Sequence, residues 1–163
     1  MAGSVQREQA AEATTRSVEL LKRAYLMEME TVANYLATST NLEGLRAQEV
    51  IRVLAHEVDE ELDHARRLAA RMHQLGAVVP GSHAFLREQG SLQPAADSAD
   101  VEGVIRGVLE AEEAASAHYR DLIEEADGVD HVTQDLAISI LADEEAHRRL
   151  FESFLRDYEE DAG

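Results

Sequence analysis

One pattern of residues occurs twice in this chain and limits the folds open to it. Glu61-x-x-His64 and Glu144-x-x-His147 share residue types and spacing, and each follows a lone glutamate, Glu28 or Glu112, at almost the same separation. Each upstream glutamate is followed seven residues later by a tyrosine, Tyr35 or Tyr119. Residues three apart on an α-helix share a face. Glu61 with His64, and Glu144 with His147, therefore each present two donors to one side. Four carboxylates and two imidazoles, one set from each of two helical hairpins, form the ligand set of a two-metal site inside a four-helix bundle.

The hydrophobic pattern puts these residues on inward faces. A first helix is expected from about Thr14 to Thr38, with Leu21, Ala24, Glu28, Val32 and Tyr35 recurring at three- and four-residue steps. A second is expected from about Leu45 to Leu75, its stripe being Val50, Val53/Leu54, Glu57, Glu61, His64, Leu68 and Met72, with Gly76 as its stop. A third, from about Asp100 to Ala126, carries Val101, Ile105, Val108, Glu112, Ala115, Tyr119, Leu122 and Ile123. A fourth, from about Val132 to Tyr158, carries Leu136, Ile140, Glu144, His147, Phe151 and Phe154, with Asp130 as its N-terminal cap. Residues 1–13 are a polar N-terminal extension, either frayed or an early start to the first helix. Residues 14–158 form the bundle.

Between the second and third helices, residues 76–100 hold Gly76, Pro80, Gly81, Gly90 and Pro94. That stretch is far longer than an antiparallel helix pair needs. It is long enough to run back along the bundle, leaving helices two and three parallel. The alternative is an unattached surface insertion.

Composition removes several function classes. Of 163 residues 33 are acidic and 15 are Lys or Arg, a formal net charge of -18, so the surface repels phosphate backbones and nucleic-acid binding is not expected. The same charge attracts cations, or it is simply a solvated acidic face. Cysteine is absent, which excludes a disulfide framework and a thiolate nucleophile. No run of apolar residues is long enough to span a membrane, and no signal segment is seen at the N-terminus. A cytoplasmic location is expected.

Within the proposed site, Glu61 and Glu144 are the natural bridges, because two ions need shared carboxylates to sit roughly 3.5–4 Å apart. Glu28 with His64 then completes one ion, and Glu112 with His147 the other. The donor set suits iron or manganese and also admits zinc. Neighbouring Glu30, Glu110 and Glu113 compete for the upstream positions, but helix phase and the tyrosine spacing favour Glu28 and Glu112. Tyr35 and Tyr119 either hydrogen-bond the ligand carboxylates across the bundle, one of them donating an electron, or simply pack. Glu57, one turn before Glu61, either admits metal and supports the ligands or is partly exposed. His56, His73, His83, His118 and His131 fit no paired spacing and are expected at the surface.

With these motifs the sequence resembles the ferritin-like superfamily, and most of all bacterioferritins and Dps-like ferritins with an intrasubunit di-iron site. The likeness covers Glu28/Tyr35, Glu61/His64, Glu112/Tyr119 and Glu144/His147, and the stretch Ile140–His147 is similar to the family's last metal-binding helix. Three departures matter. Leu62 stands where bacterioferritins carry a haem-ligating methionine, so no haem is expected. The sequence runs only 16 residues past His147, too few for the fifth helix of 24-subunit cages. The cysteine pair often seen near the site in Dps-like ferritins is missing. A homo-oligomer is expected, a dodecamer or a dimer rather than a 24-mer.

The resemblance implies a ferroxidase that oxidises ferrous iron at a centre of two iron ions with dioxygen or hydrogen peroxide, with iron storage as an added expectation. Two other readings stay open. One is a di-iron or di-manganese peroxide-scavenging oxidoreductase without storage. The other is a non-enzymatic helical partner-binding protein with a structural metal site.

Overall fold

The computed structural model describes the backbone of residues 2–161, with side chains at position 12 and positions 14–160. Four helices make up most of it: α1 (Ala2–Asn41), α2 (Gln48–Gln74), α3 (Val101–Ala126) and α4 (His131–Asp161). The all-α four-helix bundle with a long crossover is the expected architecture. Helix α1 starts well before Thr14, so the backbone of the N-terminal stretch is helical and continuous with the bundle helix. A short 3-10 turn, Leu45–Ala47, leads into α2.

Local chemistry sets the helix ends. After α2, Gly76 takes a φ of 76°, and Gly128 between α3 and α4 takes 67°, a backbone region in which a β-carbon is unfavourable. Asp100 caps α3 by accepting from the Gly103 amide at 2.9 Å. Asp130 caps α4 by accepting from the Thr133 amide at 3.0 Å. Its carboxylate also receives Arg71 of α2, which reaches both oxygens at 2.7 Å. Burial pushes the Asp130 carboxyl up, but the hydrogen bonds from Arg71 and Thr133 outweigh it and hold the group at about 2. Asp130→Ala is expected to remove both the cap and the anchor between hairpins. The loss should be about 2 kcal/mol, combining a lost cap with a lost charge-assisted bond. At this chain length that lowers the melting temperature by roughly 4–8 °C in a thermal unfolding scan.

The crossover is latched to the bundle, which excludes the unattached insertion. Its far end meets the α1–α2 turn, where the Glu43 amide donates to the Ser98 carbonyl at 2.7 Å. Helix α3 therefore starts at the end where α2 starts, and the two run parallel. Along the way Glu30 accepts from the backbone amides of Glu88 and Gln89, both at 3.2 Å. The buried Gln89 side chain donates to Thr31 at 2.6 Å and accepts from Asn34 at 3.0 Å. On the α3 side the backbone passes so close that a β-carbon on Gly107 would lie 2.3 Å from the Ser91 carbonyl oxygen. Leu92 then enters the core.

The apolar core is split in two. One block holds Tyr35, Leu42, Val50, Leu54, Ile105, Val108 and Phe151. The other holds Leu21, Ala24, Leu68, Met72, Tyr119, Leu122 and Ile140. Each large apolar side chain so buried contributes about 1.5–3 kcal/mol by leaving water. Between the blocks the inward positions are occupied by carboxylates and imidazoles. Among the described residues no helix is long and apolar enough to cross a membrane.

Candidate metal centre

All six residues picked out by the repeat are buried at mid-bundle: Glu28, Glu61, His64, Glu112, Glu144 and His147. They fall into two groups whose donor atoms lie within 4.8 Å of one another. One group is Glu28, Glu61, His64 and Glu144, and the other is Glu61, Glu112, Glu144 and His147. Glu61 and Glu144 belong to both. The two imidazoles face each other as stacked rings with centroids 6.5 Å apart. The competing Glu30 is instead engaged with the crossover, and Glu113 pairs with Arg148 at 2.7 Å on the surface.

The tyrosines bond crosswise between the hairpins. Tyr35 of α1 donates to Glu112 of α3 at 2.5 Å, and Tyr119 of α3 donates to Glu28 of α1. Each phenol fixes one carboxylate oxygen and leaves the other free to turn inward. Burial, then the neighbouring carboxylate, pushes both phenols well above the ordinary tyrosine range, so both remain donors.

Four of the atoms these residues turn to the centre are left without partners. Glu61 Oε1, Glu112 Oε2, Glu144 Oε1 and His147 Nδ1 are fully buried and make no hydrogen bond. Some are close to one another, His147 Nδ1 lying 3.5 Å from Glu61 Oε1 and His64 Nδ1 3.2 Å from Glu144 Oε1, yet neither pair is aligned as a hydrogen bond. Buried polar atoms are nearly always satisfied, and orphans converging on one space need an explanation. Divalent cations provide one: four carboxylates against two such ions cancel, and the mixed oxygen and imidazole donors fit iron, manganese or zinc. The residues fit a two-metal centre on this test.

Without metal, protons do the neutralising. Burial, then repulsion from Glu144 and Glu61, holds Glu28 well above the usual carboxylate range. Burial, then Glu144, does the same to Glu112, and burial with Glu61 raises Glu144 to about 8. Burial also works against the charge on Glu61, but the neighbouring His147 and His64 rings outweigh it and hold Glu61 at about 2. Burial disfavours charge on His147, yet Glu57 and Glu61 outweigh it and lift the ring to about 12. In the metal-free centre Glu61 therefore favours its ionised form, while Glu28, Glu112 and Glu144 favour their protonated forms and both imidazoles are shifted toward the charged form.

Sequence reasoning overlooked the acids on the outer ring nitrogens. Asp143 lies 3.3 Å from His64 Nε2 and Glu60 lies 3.1 Å from His147 Nε2. Their signal was present, since each immediately precedes the glutamate of a Glu-x-x-His motif. Glu57 is buried rather than partly exposed, and its Oε2 is 2.6 Å from His147 Nε2. Of the remaining histidines His118 departs from expectation. It is buried beside α1, with its Nε2 2.9 Å from the Leu20 carbonyl, a packing role that helical spacing does not distinguish from exposure.

The sequence profile of the ferritin-like domain matches residues 18–160. The chain belongs to the ferritin-like family. It is 28% identical over 143 residues to the DNA protection during starvation protein of Pyrococcus furiosus, covering 85% of this chain and 76% of that one. Its fold is similar to that of a ferritin-like diiron-carboxylate protein from Bacillus anthracis, with a TM-score of 0.78 at 19% identity, over 88% of this chain and 97% of the other. It is also similar to a bacterioferritin-related protein of Bacteroides fragilis described as a dodecameric thioferritin, with a TM-score of 0.79 at 20% identity and 96% of each chain covered. At these identities the structural likenesses show the ferritin-like fold alone.

Proposed function

We propose that this ferritin-like protein is a ferroxidase. Its substrates are two ferrous ions per subunit, held by Glu28, Glu61, His64, Glu112, Glu144 and His147. The observation that supports this most is the set of buried, partnerless donor atoms shared between two groups. Adjacent irons matter because the oxidant takes electrons in pairs. Each ferrous ion loses one electron, and hydrogen peroxide, accepting two electrons and two protons, leaves as two waters; dioxygen accepting the same leaves as hydrogen peroxide.

The chain's own groups supply the setting. Burial and mutual repulsion favour protons on Glu28, Glu112 and Glu144, and the neighbouring carboxylates favour one on His147, so loading displaces protons and depends on pH. Tyr35 and Tyr119 orient the terminal carboxylates, and Asp143 and Glu60 orient the imidazoles from outside. The net charge of -18 draws cations toward the surface. The same charge repels phosphate backbones, so DNA binding is not part of this reading. Consumption of iron and oxidant is the chemistry proposed. A homo-oligomer, with a dodecamer favoured by the Bacteroides fragilis similarity, would add storage to turnover.

The test is anaerobic loading with ferrous iron followed by dioxygen or peroxide in a stopped-flow spectrometer. Ferric absorbance should rise far faster than in protein-free iron, and the rate should fall at least about tenfold in His64→Ala and His147→Ala. Rates equal to free iron with either oxidant would refute the ferroxidase reading. Particle mass by light scattering, with iron retained per particle under air, separates storage from turnover.

A further inference from the structure

The far end of the crossover closes over the end of α1 and leaves a small cavity there. Its volume is about 10 Å3, room for one water-sized occupant. Thr38 and Asn41 of α1, with Asp97 and Ser98 of the crossover, form its polar side, and Leu42 and Val104 are among its apolar walls. Among the described residues no Lys, Arg or His lines it. The cavity is remote from the inner centre, since Thr38 lies ten residues past Glu28, about 15 Å along the helix.

The buried hydroxyl and the local charge both call for a cation. Thr38 is 2% exposed and its Oγ1 makes no hydrogen bond. A hydroxyl within a helix commonly bonds back to a carbonyl one turn earlier. Ser39 and Thr40 do so, reaching the Leu36 carbonyl at 3.2 and 2.7 Å. Thr38 does not, and its hydroxyl is left to the cavity that it lines. The place is also electronegative. The last carbonyls of a helix lack amide partners within the helix and carry partial negative charge. The Glu43 amide, next in line for one of them, donates to the Ser98 carbonyl at 2.7 Å instead. No basic residue stands in the last turn of α1. Glu43 follows that turn, its Oε2 3.4 Å from Ser98 Oγ, and Asp97 adds a second carboxylate.

We propose that this cavity binds one monovalent cation of the size of K+, which ties the end of the crossover to the end of α1. Oxygen donors without imidazole or thiolate suit a hard cation. Asp97 is the carboxylate that lines the cavity, whereas Ca2+ sites commonly gather several. K+ is close to water in size and is held elsewhere by neutral oxygens that replace its hydration shell. A water would satisfy the Thr38 hydroxyl and leave the negative end of α1 without a counter-charge; a cation does both. The site shares no residue with the six inner ligands, so it stands or falls apart from the ferroxidase reading.

Thermal unfolding tests this, with a chelator present to keep transition metals off the inner centre. Tetramethylammonium chloride is replaced stepwise by KCl at constant total salt. Both salts screen the surface charge, but tetramethylammonium is too large for the cavity. The wild-type melting temperature should rise and saturate, gaining at least about 3 °C once K+ is tenfold above its dissociation constant. Thr38→Val keeps the shape without the hydroxyl and Asp97→Asn keeps it without the charge, and each should lose most of that gain. In crystals soaked with Tl+, a heavy substitute for K+, an anomalous peak should lie against Thr38 Oγ1 in the wild type and vanish in Thr38→Val. Equal melting in the two salts, a gain undiminished in both variants, or only water beside Thr38 in the soaked wild-type crystals overturns the site.

Discussion

Glu61→Gln is expected to abolish high-affinity binding of the inner metal pair, rather than weaken one ion and spare the other. Glu61 lies in both donor groups, and it is the inner carboxylate held ionised, at about 2, by the flanking imidazoles. It is therefore the anion that a first cation meets without displacing a proton. Removing it takes away a shared ligand and also leaves His64 and His147 with no anion between them. Loss of supporting groups around metal ligands typically costs 10–100-fold in affinity, so loss of a shared ligand should exceed about 100-fold for both ions. His64→Ala and His147→Ala should each impair one ion more than the other. Metal analysis after dialysis against buffered Mn2+ or Zn2+ reads all three variants. Undiminished pair binding in Glu61→Gln would remove the bridging assignment.

Metal removal should reverse the way stability depends on pH. In the metal-free protein Glu28, Glu112 and Glu144 have folded values raised above the unfolded ones, to about 8 for Glu144. Between the unfolded carboxylate value and the folded one, the native state holds more protons than the unfolded chain, so stability falls as pH rises through that window. His147, raised to about 12, acts in the same direction above the ordinary histidine value. Glu61, held at about 2, acts oppositely and only below about pH 4.5. The metal-free protein should therefore be most stable in mild acid and lose stability continuously from about pH 5 to pH 8. With metal the sign changes, because protons compete with the ions for the same ligands. Linkage adds about 2.7 kcal/mol when free metal is 100-fold above its dissociation constant, or roughly 5–11 °C in melting temperature at this chain length. The gap between loaded and metal-free protein should widen from pH 5 to pH 8. The apolar blocks on either side of the centre are expected to keep the metal-free bundle folded. Thermal scans of verified metal-free and two-metal protein across that range check the sign. Equal melting temperatures at pH 7 would mean that these residues hold no metal.

The sequence shows the bundle clearly because its helices repeat apolar residues at three- and four-residue steps, and because glycines and aspartates mark the ends. Asp130 at the start of α4 and Gly76 after α2 stand where such residues are needed. The inner six are legible for the same reason, since each interrupts an apolar stripe in phase. What periodicity does not show is which residues meet across helices. Glu60 and Asp143 are half-exposed and fall outside the stripes, so only the packed structure brings them to the ring nitrogens. Glu57 lies on the stripe, but its preference for His147 of α4 over its own-helix neighbours depends on interhelical geometry. His118 illustrates the converse, a polar residue buried because a main-chain carbonyl of α1 happens to face it. The latch of the crossover through Gln89 and Glu30 is likewise a pairing between distant segments that no local pattern announces.

Anomalous diffraction from crystals loaded with Mn2+ or anaerobic Fe2+ tests the central claim most directly. The account predicts two peaks enclosed by the four helices and roughly 3.5–4 Å apart. Glu61 and Glu144 should touch both, Glu28 and His64 one, and Glu112 and His147 the other. Peaks confined to the acidic surface, or a single inner ion that leaves one imidazole without a ligand, would contradict it.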